Sequence, residues 1–147
     1  MSLLEVRKLT EEFLNEVVLL DNRVFPESPW GMDSFRGNMV HDYDHPVVAV
    51  KEHKAVGYGI LRQIDDGEIL LVGVDPACRR QGIGREIVKE LLALAEPGGQ
   101  VFLEVRESNT AARKLYASLG FTELIRRKDY YKDPAEDAVI MTVWKDA

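Results

Sequence analysis

The stretch RRQGIGRE, from Arg79 to Glu86, concentrates positive charge in a chain whose formal net charge is −6. Gly82 and Gly84 stand one residue apart within it, among three arginines: Arg79, Arg80 and Arg85. The pattern predicts a strand ending at GVDP and a helix beginning near Gly82. A helix N-terminus offers unpaired N–H groups that favour anions, and glycine lets a phosphate approach the backbone closely. The stretch therefore predicts a phosphate or pyrophosphate site, with a solvated basic turn as the alternative.

Two other phosphate-binding loops do not fit this stretch. The chain has no G-x-x-x-x-G-K-[ST], which excludes a P-loop. Ile87 stands where a dinucleotide-binding fingerprint requires its third glycine, which excludes that motif as well.

The elements that must position this stretch follow from the periodicity of apolar residues. Thr10 can cap a first helix whose apolar residues repeat at helical spacing: Phe13, Val17, Leu20 and Val24. A short second helix is predicted around Phe35 and Met39. Three strands follow (PVVAVKE, AVGYGILRQ and EILLVGVDP), then a helix from Ile83 to Leu94, the strand VFLEVR, the helix SNTAARKLYASLG and the strands FTELIRR and DAVIMTVW. The order predicts an α/β fold with a mixed sheet and helices packed on it.

The phosphate stretch belongs to a longer set of motifs. Arg79-x-x-Gly82-x-Gly84 follows LVGVDP, and the chain also contains FPESPW, LEVRESNTAARKLYASLGF and RRKDYYKDPAEDAVIM. In this combination nearly the whole chain resembles the GNAT superfamily of N-acetyltransferases, and within it the ribosomal-protein-alanine (RimI-type) enzymes. The resemblance implies one N-acetyltransferase domain over residues 1–147. It also implies a mostly antiparallel central sheet of six to seven strands, with about four helices on both faces.

The resemblance assigns roles to particular residues. It implies that Glu104 is the general base and Tyr116 the general acid. The coenzyme-binding residues would be Val72, Gly73 and Val74 beside the pantetheine arm, the run Arg79, Arg80, Gln81, Gly82, Ile83, Gly84 and Arg85 around the pyrophosphate, and Asn109 on the arm. The loops FPESPW and RRKDYYKD would flank the acceptor, with Phe25, Pro26, Tyr130 and Tyr131 as its contacts.

The chemistry of acetyl transfer explains why such residues would be needed. A free α-amine has a pKa of about 7.7–8.0 and must lose a proton, and the leaving thiolate benefits from one. Glu104 lies in an otherwise apolar strand, where partial burial would suit it to act as a base; alternatively it is a solvent-facing residue beside Phe102 and Arg106. Tyr116 could donate a proton to the sulfur or simply pack in the core. Tyr130 and Tyr131 could contact peptide or pack the sheet edge.

Composition limits the partners. The acidic balance argues against general nucleic-acid binding, no apolar run is long enough to span a membrane, and a single cysteine, Cys78, suggests a reducing, cytoplasmic compartment. His41 and His45 in HDYDH could suggest a metal, but a solvated turn is the favoured interpretation, and no metal is expected.

The resemblance implies two partners, acetyl-CoA and a protein N-terminus, and a ribosomal protein as the acceptor. The enzyme itself is expected to be a monomer or weak dimer. A lysine- or small-amine-acetylating enzyme and a silent coenzyme-A-binding domain are the alternatives.

Overall fold

The computed structural model describes residues 3–132 and 134–146, which form a seven-stranded sheet and four α-helices. In chain order the elements are β1 (Leu4–Lys8), α1 (Glu11–Val24), α2 (Met32–Val40), β2 (Asp44–Lys51), β3 (Lys54–Gln63), β4 (Gly67–Val74), α3 (Ile83–Leu94), β5 (Gln100–Arg106), α4 (Thr110–Ser118), β6 (Thr122–Tyr131) and β7 (Glu136–Trp144). A short 3₁₀ turn, Pro76–Cys78, separates β4 from α3. None of the described helices is both long and apolar enough to cross a bilayer.

The strand order is β1-β2-β3-β4-β5-β7-β6, and every neighbouring pair is antiparallel except β4–β5. The single parallel pair exists because α3 carries the chain across one face of the sheet between β4 and β5. This arrangement confirms the predicted mixed, mostly antiparallel sheet with helices on both faces.

Two hydrophobic cores lie on opposite faces of the sheet. Val47 and Ala49 of β2 face α3, whereas Val48 and Val50 face α1 and α2. Successive residues of a strand point to opposite faces, so a strand buried on both sides is apolar in a continuous run, as β2 is from Pro46 to Val50. The helices cover both faces of the first four strands, because α1 and α2 lie on one face and α3 lies on the other.

The structure adds a strand that the sequence did not predict. β1 pairs with β2 from Leu4↔Lys51 to Lys8↔Val47 and forms one edge of the sheet. Its five residues, LEVRK, alternate apolar and charged side chains only over a short run. Such a short alternation does not distinguish a strand from an irregular segment leading into α1. Thr10 is the N-cap residue of that helix, but its side chain makes no capping hydrogen bond.

Two segments predicted as loops belong to strands. Residues 126–131 continue β6, so most of RRKDYYKD is strand, and its residue 133 lies outside the described residues. β6 is an edge strand with an almost wholly exposed, polar sequence, which hides the usual alternation. The solvated turn predicted for HDYDH is likewise wrong in part, because Asp44 and His45 begin β2 and Asp44 is buried beside Arg62.

Candidate active site

The site begins where β4 and β5 separate. The two strands are paired only from Gly67↔Val101 to Ile69↔Leu103. Beyond that point β4 continues to Val74 paired with β3 alone, and β5 continues to Arg106 paired with β7 alone. A shift in register between β3 and β4 at Leu70 accompanies the separation and bends β4 away. Two strand edges with unpaired backbone groups therefore face each other across a wedge.

The edge of β4 carries the predicted coenzyme-arm residues Val72, Gly73 and Val74. A Cβ atom on Gly73 would lie 2.4 Å from the Tyr58 ring, so only glycine fits there. The Tyr58 hydroxyl in turn donates a hydrogen bond of 2.7 Å to Oδ1 of the buried Asp21. Burial, and then that contact with Asp21, raise the pKa of Tyr58 far above its usual value. The neutral side chain of Tyr58, held by Asp21, therefore packs against Gly73 and supports this edge of the wedge.

The predicted phosphate loop, residues 79–85, leads from β4 into α3. Arg80 and Gly82 have φ of +65° and +78°, and α3 begins directly after Gly82 with no side chain capping it. Among the described residues, none of the seven backbone N–H groups from 79 to 85 donates to a protein acceptor; the first bond of the turn is from Glu86 N to Gly82 O, at 3.1 Å. When left-handed and right-handed backbone conformations alternate, consecutive unpaired N–H groups converge on one point. At a helix N-terminus such a group of amides, called a nest, binds anions.

Side chains support this loop from neighbouring elements. Lys51 Nζ donates to Gln81 Oε1 at 3.1 Å, and Arg85 donates to Ser118 Oγ at 2.9 Å. A Cβ atom on Gly84 would lie 3.3 Å from Leu115 of α4, so that glycine allows α4 to pack closely against the loop. Arg79, Arg80 and Arg85 make no ion pair with any described residue, and all three are exposed. Their charge is available to an anion.

Asn109 is the N-cap residue of α4. Its side-chain oxygen accepts a hydrogen bond of 3.2 Å from Ala112 N, which satisfies one of the free amides of that helix. The capping side chain is that of Asn109 and not that of its neighbour Ser108. The residue is exposed at the end of β5 where the wedge opens.

Glu104 lies on β5 one residue beyond the last β4–β5 pair. Its side chain is exposed, so the expected partial burial is wrong. It shares its face of β5 with Phe102 and Arg106, and its carboxylate is the main cause of the raised pKa of Tyr130 on β6. Glu104 therefore lies close enough to Tyr130 to affect its titration, and it keeps access to solvent.

Tyr116 is buried in α4, where its ring packs edge-on against Phe121 with centroids 5.8 Å apart. Burial, and then the proximity of Tyr131, raise the pKa of Tyr116 to about 12. Burial also raises the pKa of Tyr131 to about 12, with Glu104 as the next contribution. Tyr131 thus lies within electrostatic range of both predicted catalytic residues. No described residue accepts a hydrogen bond from the Tyr116 hydroxyl, which is left available to a ligand.

A cleft of about 320 Å³ opens on the sheet face that carries Glu104. Its lining is mixed apolar and charged: Arg62, Ile64, Asp65, Asp66, Gly67, Glu68, Phe102, Leu103, Glu104, Arg127 and Ile140. Glu104 belongs both to this lining and to the stretch of β5 just beyond the point where β4 and β5 separate.

The FPESPW loop connects α1 to α2 on the same side of the molecule. Phe25 is partly buried in the core cluster that includes Leu70 and Leu71 of β4, whereas Pro26 is exposed. Asp21 holds this loop, since its Oδ2 accepts a hydrogen bond of 2.5 Å from Trp30 N. Sequence reasoning missed Asp21, although a carboxylate four residues after Val17 falls on the buried face of α1 and could have been noticed.

The comparisons with known proteins agree with this geometry. The sequence profile of the acetyltransferase (GNAT) family matches residues 8–121. The N-alpha-acetyltransferase RimI of Mycobacterium tuberculosis is 37% identical over 120 residues, which cover 78% of this chain and 75% of that protein. The crystal structure of the ribosomal-protein-S18-alanine N-acetyltransferase from Escherichia coli superposes with a TM-score of 0.86 at 29% identity, covering 99% of this chain and 96% of that one.

A more distant structure shows the same fold with a ligand. An acetyltransferase from Salmonella typhimurium, solved with its cofactor acetyl-CoA, has a TM-score of 0.82 at 17% identity and covers 97% of this chain and 94% of its own. The family match, the identity to curated acetyltransferases and the shared sheet agree with one another. The chain belongs to the GNAT family of acetyltransferases.

Proposed function

We propose that this enzyme transfers the acetyl group of acetyl-CoA directly to the N-terminal α-amine of a protein, within a ternary complex. The observation that carries the proposal is the meeting of three features at one opening: the unpaired edge of β4, the free amides of the loop 79–85 and the exposed carboxylate of Glu104. A pantetheine arm can pair with the strand edge, a pyrophosphate can accept hydrogen bonds from the amides, and an amine can reach the carboxylate.

The phosphate loop supplies binding energy away from the reacting atoms. Backbone amides and the partial positive charge of the α3 N-terminus bind phosphate oxygens without a metal ion. The exposed Arg79, Arg80 and Arg85 add positive charge around the loop. Because the loop is held by Lys51 and by α4, its geometry exists before the coenzyme arrives, which lowers the entropic cost of binding.

Glu104 acts on the acceptor. At neutral pH most α-amines carry a proton, since their pKa is about 7.7–8.0. Glu104 first accepts that proton, directly or through a water molecule, which frees the nitrogen lone pair to attack the acetyl carbon. The carbon–sulfur bond then breaks, the nitrogen gives up its second proton to solvent, and the coenzyme leaves as a thiolate that solvent protonates. Tyr130 lies near this carboxylate, which raises the pKa of its phenol, so its hydroxyl stays protonated and can donate to Glu104 or to the acceptor.

Tyr116 acts on the leaving sulfur. With a pKa of about 12 its phenol remains protonated throughout the working range, so a proton is always present. Full transfer to a thiolate, whose pKa is about 8.5, is unfavourable by roughly three pKa units. We therefore assign Tyr116 mainly the donation of a hydrogen bond that stabilises the developing thiolate. Transfer of the phenol proton to the sulfur, the general-acid step, is completed only as solvent returns a proton to the phenolate oxygen.

Two observations support the proposed class of acceptor. One is that relatives of this chain are named for N-terminal acetylation, and the other is the pair of segments expected to flank the acceptor, FPESPW and RRKDYYKD. The names of the two most similar of these proteins specify N-alpha or ribosomal-protein-alanine acetylation. Tyr130 and Tyr131 on one side, and Phe25 and Pro26 on the other, offer apolar area with hydroxyls for a short peptide. A ribosomal protein with an N-terminal alanine or serine is the proposed acceptor, and its reaction is placed in the cytoplasm.

The test is release of free thiol on mixing the enzyme with acetyl-CoA and a library of peptides that differ in their first residues. We expect thiol release to depend on the peptide and to follow its N-terminal residue. Thiol release with no peptide in the library, from an enzyme that binds acetyl-CoA, would indicate a silent coenzyme-binding domain and contradict the proposal.

A further inference from the structure

Arg106, the last residue of β5, makes all its strong contacts with one segment of the chain. Its guanidinium donates hydrogen bonds to the carbonyl oxygens of Lys132 at 3.3 Å and Pro134 at 3.1 Å, and to Glu136 Oε1 at 3.2 Å. Its Cζ atom also lies 4.4 Å from the centre of the Tyr131 ring. Four contacts with residues 131–136 therefore come from a single side chain on the strand that carries Glu104.

The same segment is attached a second time through Glu136. While Oε1 of Glu136 accepts from Arg106, Oε2 accepts a hydrogen bond of 2.5 Å from Ser108 N, and Glu107 N donates to Asp137 O at 3.1 Å. The hydrogen bonds from Ser108 and then from Arg106 lower the pKa of Glu136, so it stays ionised at neutral pH. Both attachments run to the stretch that leads from β5 into α4.

Backbone pairing holds this end of β6 only in part. The β6–β7 register shifts between Arg127 and Tyr131, where Asp129 has a φ of +53°, which few residues other than glycine adopt, and pairing resumes at Tyr131↔Glu136. β6 is an edge strand whose other side has no partner strand among the described residues. Side-chain contacts therefore add to the attachment of this segment to β5, and Arg106 makes four of them.

We propose that Arg106 is a positioning residue for the acceptor side of the site: it holds Tyr131 and the β6–β7 segment against β5, and so sets where the acceptor lies relative to Glu104. The inference rests on the proposed function of Glu104, which is two residues away on the same face of β5. Tyr131 is the residue that lies near both Glu104 and Tyr116, so its displacement changes the space between them.

The geometry requires arginine and not just a positive charge. A guanidinium presents five N–H donors in a planar fork and stacks on an aromatic ring, whereas an ammonium has three donors around one point. Two backbone carbonyls, one carboxylate and one ring surround Arg106 at the same time, and a lysine side chain can satisfy only part of this set. The conservative substitution Arg106→Lys is thus the sharpest test.

The experiment compares Arg106→Lys with Arg7→Lys, the matched control. Arg7 also packs its guanidinium on an aromatic ring, with its Cζ 4.9 Å from the centre of the Phe13 ring, but it lies on β1, at the opposite edge of the sheet from β6. For whichever acceptor the wild-type enzyme acetylates, we expect Arg106→Lys to raise the acceptor KM about tenfold or more, as loss of hydrogen bonds to a charged group would do. The acetyl-CoA Kd should change less than about twofold, and Arg7→Lys should leave the acceptor KM near the wild-type value.

Two further measurements separate positioning from a general loss of structure. Amide hydrogen exchange at residues 128–132, 135 and 136 should become faster in Arg106→Lys and stay unchanged in Arg7→Lys, a readout that needs no acceptor. Added methylguanidinium should partly restore the acceptor KM of Arg106→Ala. Unchanged exchange in Arg106→Lys, or equal losses in acceptor and acetyl-CoA affinity, would overturn the proposal. A wild-type enzyme that acetylates only lysine would contradict the proposed function while leaving the role of Arg106 measurable.

Discussion

The proposed coenzyme side and the proposed acceptor side of this site are built in different ways. The proposed coenzyme side consists largely of backbone: one strand edge and the amides of seven consecutive residues, 79–85. The proposed acceptor side consists of side chains that meet from distant parts of the chain, such as Arg106 with Tyr131 and Glu136. A backbone site depends on conformation and tolerates many side chains, whereas a side-chain site fails when one contact is lost. The two sides should therefore respond differently to substitution.

The largest expected effect is on the acceptor side. Glu104→Gln keeps the shape of the side chain and removes the base, so kcat should fall by about 10²–10⁴ with acetyl-CoA affinity little changed. Glu68→Gln is the matched control, because Glu68 lines the same cleft on the adjacent strand and is also exposed. Steady-state kinetics from pH 6 to 9 decide the matter. Near wild-type rates in Glu104→Gln across that range would mean that the base lies elsewhere.

A smaller loss is expected for Tyr116→Phe. Deleting a hydrogen bond to a developing anion costs about 1.5–3 kcal/mol, which is roughly a 10- to 150-fold decrease in kcat. The raised pKa of Tyr116, about 12, predicts in addition that wild-type activity has no alkaline limb from this residue below about pH 10. Equal kcat in the two proteins would reduce Tyr116 to a packing residue.

The coenzyme side should respond through its backbone. Gly82 has a φ of +78° and open space around its Cβ position, so Gly82→Val does not clash but strains the backbone and turns the free amides away. We expect the acetyl-CoA Kd to rise about tenfold or more, the equivalent of 1.4 kcal/mol. Gly31→Val controls for strain alone, since Gly31 has a φ of +91° and equally open space at the start of α2. Isothermal titration should show weaker acetyl-CoA binding only for Gly82→Val; an unchanged Kd in that folded variant would exclude residues 79–85 as the pyrophosphate site.

The last effect concerns stability, and it appears only in alkali, outside the working pH range. Because burial raises the pKa of Tyr116 from an unfolded value near 10 to about 12, the folded state binds this proton more tightly. The resulting stabilisation is complete below pH 10 and is lost as the pH rises from 10 to 12, by up to about 2.7 kcal/mol. Denaturant unfolding of wild type and Tyr116→Phe at several pH values should show a steeper loss in the wild type. Parallel curves would contradict the burial of this phenol.

The contrast between the two sides also explains what the sequence could reveal. The turn before α3 and the helix itself were predictable, since glycines, arginines and the change in periodicity all lie within a dozen residues. That this turn binds phosphate stays a prediction. The limits of α3, Ile83 and Leu94, follow from the same local signals. Arg106, Glu136 and Asp21 were not identified, because their roles depend on contacts across roughly 9 to 37 residues that no local pattern encodes. The edge strands β1 and β6 were missed or shortened for a related reason, since an edge strand has little apolar alternation to mark it.

The measurement that tests the central claim most directly compares two matched peptides as acceptors. One has a free N-terminal alanine or serine and no lysine; the other has the same sequence with a blocked N-terminus and one internal lysine. The account predicts that kcat/KM for the free α-amine is higher by at least about a hundredfold, the discrimination expected when a site positions one amine at its base and not the other. Comparable values for the two peptides would contradict N-terminal acetylation as the function of this site.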